Sequence, residues 1–311
     1  EDMVRAEGIT YRVGSTNAGD CLGKNMELYY YDDGAAAVPE LLYITPLAQK
    51  NKVLELDPEE IQKLTVREIS YSDETGKGRS AKLSPTATLI WNGKMAELTE
   101  EKLKPDCGSV TLISSDGDLI YDVILVMSYE SYVVSAVSAS SEAVGTKQGK
   151  SLSLDESDSS CFTVIRSGES RVGFEAIKRD QVISYAESET TGKVVKTAVL
   201  SDKTITGTVE TVRKEDKTLT IGGMEYKTTE ELAKSLKPRR EGTFYVDAFD
   251  RVVYIGGTLD IVYGYLNGLR TEMFGEVTCR IFTENNRWVT LNMNGKVKFN
   301  GNSTDAEKVA Q

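Results

Sequence analysis

No histidine occurs anywhere in the 311 residues, which leaves carboxylates, thiols, hydroxyls and aromatic rings as the side chains able to do chemistry. Serine–histidine and cysteine–histidine nucleophiles and imidazole-ligated metals are thereby excluded. Neither GxxxxGK[ST] nor a GxGxxG run after a strand is present, so no phosphate-cradling loop is expected. A carboxylate pair of the glycosidase kind remains, and the candidates are Asp32 with Asp33, or Asp116 with Asp118. Both pairs fall on hairpin turns, where a carboxylate caps backbone N–H groups and faces water. No catalytic residue is therefore expected, and the chain reads as a non-enzyme.

Acidic loops can also hold hard cations through oxygen. The densest are Asp116-Gly117-Asp118 with Asp122, and Asp155-Glu156-Ser157-Asp158. Neither has the loop pattern and closing bidentate Glu of a helix–loop–helix calcium site, so both read as solvated turns. No metal and no cofactor site is assigned. The cysteines Cys21, Cys107, Cys161 and Cys279 show no CxxC spacing, which together with the missing histidines argues against zinc. Cys21 and Cys107 precede equivalent glycines in different modules, so no disulfide is expected between them. All four read as small buried hydrophobes. Fifteen tyrosines and two tryptophans could stack on sugars. Yet Trp91 stands before an Asn-Gly turn and Trp288 heads a returning strand. Tyr29-Tyr30-Tyr31 alternates faces and cannot make one platform. Cross-strand packing accounts for these rings without a ligand.

The elements that must position these residues are short strands. Two stretches repeat each other: Ile69-Ser70-Tyr71, Thr75-Gly76-Lys77, Ala81 and Leu83-Ser84 return as Ile183-Ser184-Tyr185, Thr191-Gly192-Lys193, Ala198 and Leu200-Ser201. A tight glycine turn follows at Trp91-Asn92-Gly93-Lys94 and at Ile221-Gly222-Gly223. Next comes a spacer with Leu103 to Pro105 or Leu236 to Pro238. Gly108 and Gly242 then open a strand pair, and Gly23 opens a third. Each of these strands runs into an Asp-containing turn and a second apolar strand, which is how hairpins close. A further hairpin pattern at Val277 to Leu291, turning at Glu284 to Asn286, parallels Cys161 to Phe174, and Asn300-Gly301 suggests another turn. Helix signals are few. Asp57 to Leu64 has an N-cap residue, Pro at the first helical position and early acids; Thr229 to Leu236 and Thr304 to Val309 are shorter candidates. The small polar run Ser135 to Gly149 and the segment Leu152 to Asp158 read as exposed loop.

Repetition of this kind marks an array, and short strands with Gly and Asn turns indicate sandwiches or small barrels. The fold class is therefore all-β, as tandem small β-barrel or β-sandwich modules with a few short helices. The chain reads as starting and ending inside modules: a truncated module at 1–47, a first repeat copy at 48–130, a second copy with an N-terminal extension at 131–257, and a partial module at 258–311. Hydrophobic content of 40% is ordinary for a globular chain. No apolar run reaches the roughly 18 residues of a membrane span, and Glu1 to Arg5 carry no signal-peptide pattern. A net charge of −11 argues against nucleic acid and anionic membranes. The single basic cluster, Lys237 to Arg240, reads as a solvated loop between two strands.

Thr206-Gly207-Thr208-Val209-Glu210, Ile221 to Tyr226, Gly242 to Asp247, Tyr263-Gly264-Tyr265-Leu266 and Ile281 to Glu284 resemble β-rich modules of clostridial cell-surface proteins, which often accompany S-layer homology domains. The resemblance implies an extracellular or cell-surface, non-enzymatic structural segment of a Gram-positive, S-layer-like protein, serving as spacer or lattice scaffold. Its partners would be other copies or neighbouring modules of the same protein, with cell-wall polymer or glycan a further candidate. It implies no catalytic residues, and the wall-binding S-layer homology motif itself is not visible here. The alternatives are a phage tail or virion structural protein, and a carbohydrate-binding fragment of a secreted protein.

Overall fold

The computed structural model describes residues 3–32, 34, 38–189, 192–256, 264–271, 277–283, 288–293, 296–299 and 301–309. Asp33, Thr191, Tyr263, the turn Glu284 to Asn286, and Asn300 lie outside the described residues. The chain divides into two compact units, residues 1–256 and 257–311. Among the described residues the first unit holds four sheets in chain order, with only short helical turns between strands, and the protein is all-β.

The first sheet contains β1 (Met3–Ala6), β2 (Ile9–Arg12), a 3-10 turn at Ala18–Cys21, β3 (Met26–Tyr31) and β4 (Glu40–Pro46), in the order β1-β2-β4-β3. The second contains β5 (Lys52–Leu56), β6 (Ile61–Thr65), β7 (Glu68–Ser72), β8 (Gly78–Trp91), β9 (Lys94–Ala96), a 3-10 turn at Glu101–Leu103, β10 (Gly108–Ser114) and β11 (Ile120–Ser128). Its order is β5-β10-β11-β8-β7-β6, with β9 on β8. The third contains β12 (Glu130–Ser138), β13 (Ala143–Thr146), β14 (Ser151–Ser153), β15 (Cys161–Ser167), β16 (Ser170–Val172), a 3-10 turn at Phe174–Ala176, β17 (Val182–Glu187) and β18 (Val194–Ser201), ordered β14-β13-β12-β17-β18-β15-β16. The fourth is a closed barrel, β19 (Thr204–Arg213), β20 (Thr218–Ile221), β21 (Met224–Thr228), helix α1 (Glu230–Ser235), β22 (Glu241–Val246) and β23 (Arg251–Gly256).

One construction plan runs through all four. Early strands lead to a single helical turn, and a closing hairpin follows it: β3–β4, β10–β11, β17–β18 and β22–β23. The hairpin's return strand always lies parallel to an earlier strand of its own sheet: β4 to β2, β11 to β8, β18 to β15 and β23 to β21. In the last three sheets the hairpin's first strand also pairs antiparallel with the strand that opens the sheet, β10 with β5, β17 with β12 and β22 with β19. The helical turn plugs the core with an apolar side chain; Leu103 is 0% exposed and Leu236, just after α1, is 6% exposed. Each sheet encloses its own cluster of buried residues.

The recurrent tight turns share two successive residues at positive φ: Glu7-Gly8, Asn92-Gly93 and Gly222-Gly223. That is the twist a two-residue hairpin loop needs. Gly108 answers a different constraint. A Cβ there would sit 1.8 Å from the Met127 carbonyl oxygen, so β10 can start beside the end of β11 only with no side chain.

Several expectations change. Both repeat phrases form antiparallel hairpins, β7–β8 and β17–β18, and bury matching residues: Ile69, Ala81 and Leu83 against Ile183, Ala198 and Leu200. Their registers differ, since Ile69 faces Ala81 whereas Ile183 faces Leu200. Their places differ too, because β17–β18 comes last in its sheet along the chain, whereas β9, β10 and β11 follow β7–β8. Residues 131–257, read as one extended module, consequently hold two sheets that part between Ser201 and Thr204. The helix expected over Asp57 to Leu64 is a single turn, in which Glu60 N–H donates to the Asp57 carbonyl at 3.0 Å. Ile61, 1% exposed, is drawn into the core as the first residue of β6. The serine-rich stretch expected as loop is the β12-β13-β14 meander, carried by Val134, Val144 and Leu152 in the core. Lys237 to Arg240 connect a helix to a strand, and Arg239 N–H donates to the Val209 carbonyl at 2.7 Å.

The second unit has a three-stranded meander of β24 (Gly264–Thr271), β25 (Val277–Thr283) and β26 (Trp288–Met293). The hairpin β27 (Lys296–Phe299) and β28 (Asn302–Asp305) then leads into the short helix α2 (Ala306–Val309).

Candidate functional site

The acidic clusters are occupied by their own turns. At the tip of β10–β11, Asp116 Oδ1 accepts from Asp118 N–H at 3.1 Å and Asp118 Oδ1 from Ile120 N–H at 2.7 Å. Asp122 Oδ1 accepts from Ser115 N–H at 3.0 Å, and its other oxygen from the Ser115 hydroxyl. The Asp118 N–H is the main reason Asp116 titrates below the usual carboxylate range. Asp155 Oδ1 takes the Ser157 hydroxyl and N–H at 2.6 and 2.8 Å, and Asp158 Oδ1 takes those of Ser160 at 2.6 and 2.9 Å. Those serine hydroxyls hold both carboxyls low. Asp32 caps Gly34 N–H at 2.8 Å. Asp73, between β7 and β8, collects Thr75, Lys77 and Arg79 donors. These oxygens point back at the chain that carries them. Among the described residues no group of three or more His, Cys, Asp or Glu side chains is placed to hold a metal ion.

The aromatic candidates divide. Trp91 packs against the second core with Lys102 over its ring at 6.0 Å. Trp288 is half exposed, tilted against Phe282 at 5.0 Å and covered by the Arg280 guanidinium at 4.7 Å. Tyr30 meets Tyr11 edge-on at 5.1 Å, while Tyr29 pairs across β3–β4 with Tyr43 at 6.0 Å. All four cysteines are free thiols; Cys21, Cys107 and Cys279 are buried, but Cys161 is only half-buried, with its sulfur 3.4 Å from Asp158.

The most elaborate polar constellation is one the turn-based reading passed over. Asp247, in the β22–β23 turn, is 0% exposed. Its Oδ1 accepts N–H donors from Phe249 at 3.0 Å and Arg251 at 2.9 Å. Its Oδ2 accepts Arg251 Nε and Nη2, both at 3.0 Å, and the Ser131 hydroxyl at 2.9 Å. Ser131 also meets Ser184 at 3.0 Å. The turn of the fourth sheet is thus fastened to β12 and β17 of the third. Arg251 Nη1 reaches the Asp106 carbonyl of the second sheet at 3.4 Å, and Phe249 packs on Tyr129 at 4.9 Å. Cys107 lies in this junction, where burial pushes its thiol up to about 12. Beside it, Val133, Val182 and Val253 form an apolar seam with Tyr245 and Tyr254. Lys147 sits 4.5 Å over the Tyr245 ring and pairs with Asp180 at 2.6 Å. The second and third sheets are pinned in the same manner. Buried Asn92 donates to the Glu187 carbonyl at 2.8 Å and accepts Ser128 N–H at 2.7 Å.

A groove of about 1110 Å3 opens between the second, third and fourth sheets. Several of its carboxylates are paired with lysines. Glu130 meets Lys150 at 2.8 Å, Glu59 meets Lys227 at 2.5 Å, and Lys217 lies 3.5 Å from Asp106 and 3.8 Å from Glu230. A glycosidase-like site would instead need two facing carboxyls, one of them raised in pKa; Glu130 is held low, chiefly by Lys150. No family model, no curated protein and no solved structure matches the chain. Among the described residues no helix is long and apolar enough to cross a membrane.

Proposed function

We propose that the chain is a non-enzymatic structural segment of a large bacterial cell-surface protein, a spacer or lattice scaffold built from serial β-units. The observation that carries this reading is the construction plan shared by four successive sheets. It is joined by polar fastenings at the places where the sheets meet, and not by a cleft lined with reactive groups. Arrays of small sheet units suit spacing and presentation because each unit covers most of its own strand edges. The acidic surface, at a net charge of −11, keeps such a chain soluble and away from anionic polymers.

The test is surface labelling of intact cells of the organism that encodes the chain. Antibody raised against residues 1–256 should bind unpermeabilised cells, and external protease should remove the signal. Labelling that requires lysis would refute the surface reading. Turnover of a glycan, ester or peptide by the purified chain would refute the non-enzymatic one.

A further inference from the structure

The first sheet departs from its three siblings at one position. In the third sheet the opening strand β12 serves two partners. Glu130 to Val133 pair with the closing strand β17, and Val134 to Ser138 pair with β13. In the fourth, Thr204 to Thr208 of β19 pair with β22, and Val209 to Arg213 pair with β20. In the third and fourth sheets one strand of nine or ten residues thus bridges the closing hairpin and the early strands, whereas in the second the five-residue β5 pairs with β10 alone. In the first sheet that place is open among the described residues, because β1 and β3 stand at the two ends of the order β1-β2-β4-β3 and each has one edge that no described strand pairs with.

Side-chain burial points the same way. The inward residues of the closing strands are sealed in the siblings: Val110 and Leu112, Ile183 and Tyr185, Phe244 and Val246 are all at most 5% exposed. On β3 the corresponding Met26 and Leu28 are only partly covered, and Tyr30 is 48% exposed although its ring faces Tyr11 of the core. On β1, Val4 and Ala6 are half-buried, where Leu219 and Ile221 of β20 are 1% and 2% exposed. A bare strand edge beside uncovered core residues is a template for another strand.

We infer that the first sheet is an acceptor for one added β-strand, an extended polypeptide of nine or ten residues. Its first half pairs antiparallel with β3, its second half pairs antiparallel with β1, and alternate aliphatic residues cover Val4, Leu28 and Tyr30. The occupant is a strand of the β12 and β19 type and not the open edge of a second copy. Joining two β3 edges would leave both β1 edges bare and Val4 and Ala6 uncovered. This inference is independent of the surface-scaffold reading, since it concerns only the completion of one sheet.

The experiment adds the strand to the full chain. Residues Thr204–Lys217, which are β19 with its own following turn, are duplicated and fused directly ahead of Met3, as they stand ahead of Thr218 in the fourth sheet. Hydrogen exchange is compared with the unfused chain and with a fusion carrying the same residues in scrambled order. The ordered fusion should slow amide exchange at least tenfold at Met26–Tyr31 and Met3–Ala6, and replacing the duplicated isoleucine and valine counterparts of Ile205 and Val209 by Asp should abolish that slowing. Equal protection from the scrambled fusion, or none from the ordered one, overturns the inference. So does an unfused chain that sediments as a dimer with β3 already protected. Faster exchange at Glu241–Val246 in the fused chain would mean that the duplicate merely competes with β19, and would also count against it.

Discussion

Asp247 is the one charged side chain among the buried described residues, and five donors share its two oxygens. Replacing Asp247→Ala takes the carboxylate away from the Arg251 guanidinium and the Ser131 hydroxyl and leaves the Phe249 and Arg251 N–H groups without that acceptor. Breaking a buried pair from one side costs about 3–5 kcal/mol, so a urea titration should show a loss of that order. A loss below about 1 kcal/mol would mean that water reaches Arg251 as readily as the carboxylate does. The exposed turn carboxylates contribute through pH instead. Asp73, Asp155 and Asp158 all titrate below their ordinary values because turn donors stabilise the ionised form. Folded-state values below the unfolded ones give stability that is complete above the unfolded carboxylate range near pH 4 and is lost as pH falls through the lower folded values. With no histidine to titrate between roughly pH 5 and 8, thermal scans should give a flat melting temperature there and a decline only below about pH 4. A marked drop between pH 7 and 6 would contradict this. The thiols offer a simpler check. Half-buried Cys161 should react with a thiol reagent in the native chain before Cys21, Cys107 or Cys279, whereas equal rates would contradict the burial that separates them.

At the scale of elements, glycine shows how one residue type serves two ends. Gly8 sits at φ +85° with open space around its missing side chain, and Gly108 sits against the Met127 carbonyl. Gly8→Ala should therefore cost only the left-handed backbone penalty, about 1–2 kcal/mol. Gly108→Ala must also separate β10 from β11 and should cost roughly 3 kcal/mol or more. Denaturant midpoints that rank the two variants the other way would refute the close approach. The same contrast explains what was legible beforehand. Tight turns, hairpins and α1 were readable because their signals are local, as in the Thr229 hydroxyl that accepts Leu232 N–H at 3.2 Å. Asp57 and Pro58 offer an equally local helix start, yet the core's demand for Ile61 in a strand overrides it. The meander β12-β13-β14 was missed because small polar residues hide its alternation, while Val134, Val144 and Leu152 carry the burial. The turn roles of Asp116 and Asp155 were readable since their donors lie within four residues of them. The role of Asp247 was not, because the Ser131 that seals it lies 116 residues earlier.

At the scale of the first unit, the fastenings decide whether successive sheets unfold singly or together. Serial modules joined only by linkers melt independently, whereas interfaces worth several kcal/mol make neighbours cooperative. Here the second, third and fourth sheets meet through Asp247 with Arg251 and Ser131, through Asn92 with Glu187, and through the valine seam of Val133, Val182 and Val253. Trp91 is the single tryptophan in residues 1–256, so its fluorescence reports the second sheet alone. Amide exchange at Glu241–Val246 reports the fourth. In the full-length chain, where Trp288 is first replaced by Phe to keep that signal clean, the two probes should give one common unfolding midpoint. Asp247→Ala should part them, with the barrel opening at lower urea while Trp91 keeps a midpoint near its original value. Because Asn92 joins the second sheet to the third and makes no bond to the barrel, Asn92→Ala should instead lower the Trp91 midpoint and leave the barrel's behind. Separate midpoints in the parent chain would show that the junctions hold orientation without energetic coupling, and the polar fastenings would then set the angle between neighbouring sheets and not their stability.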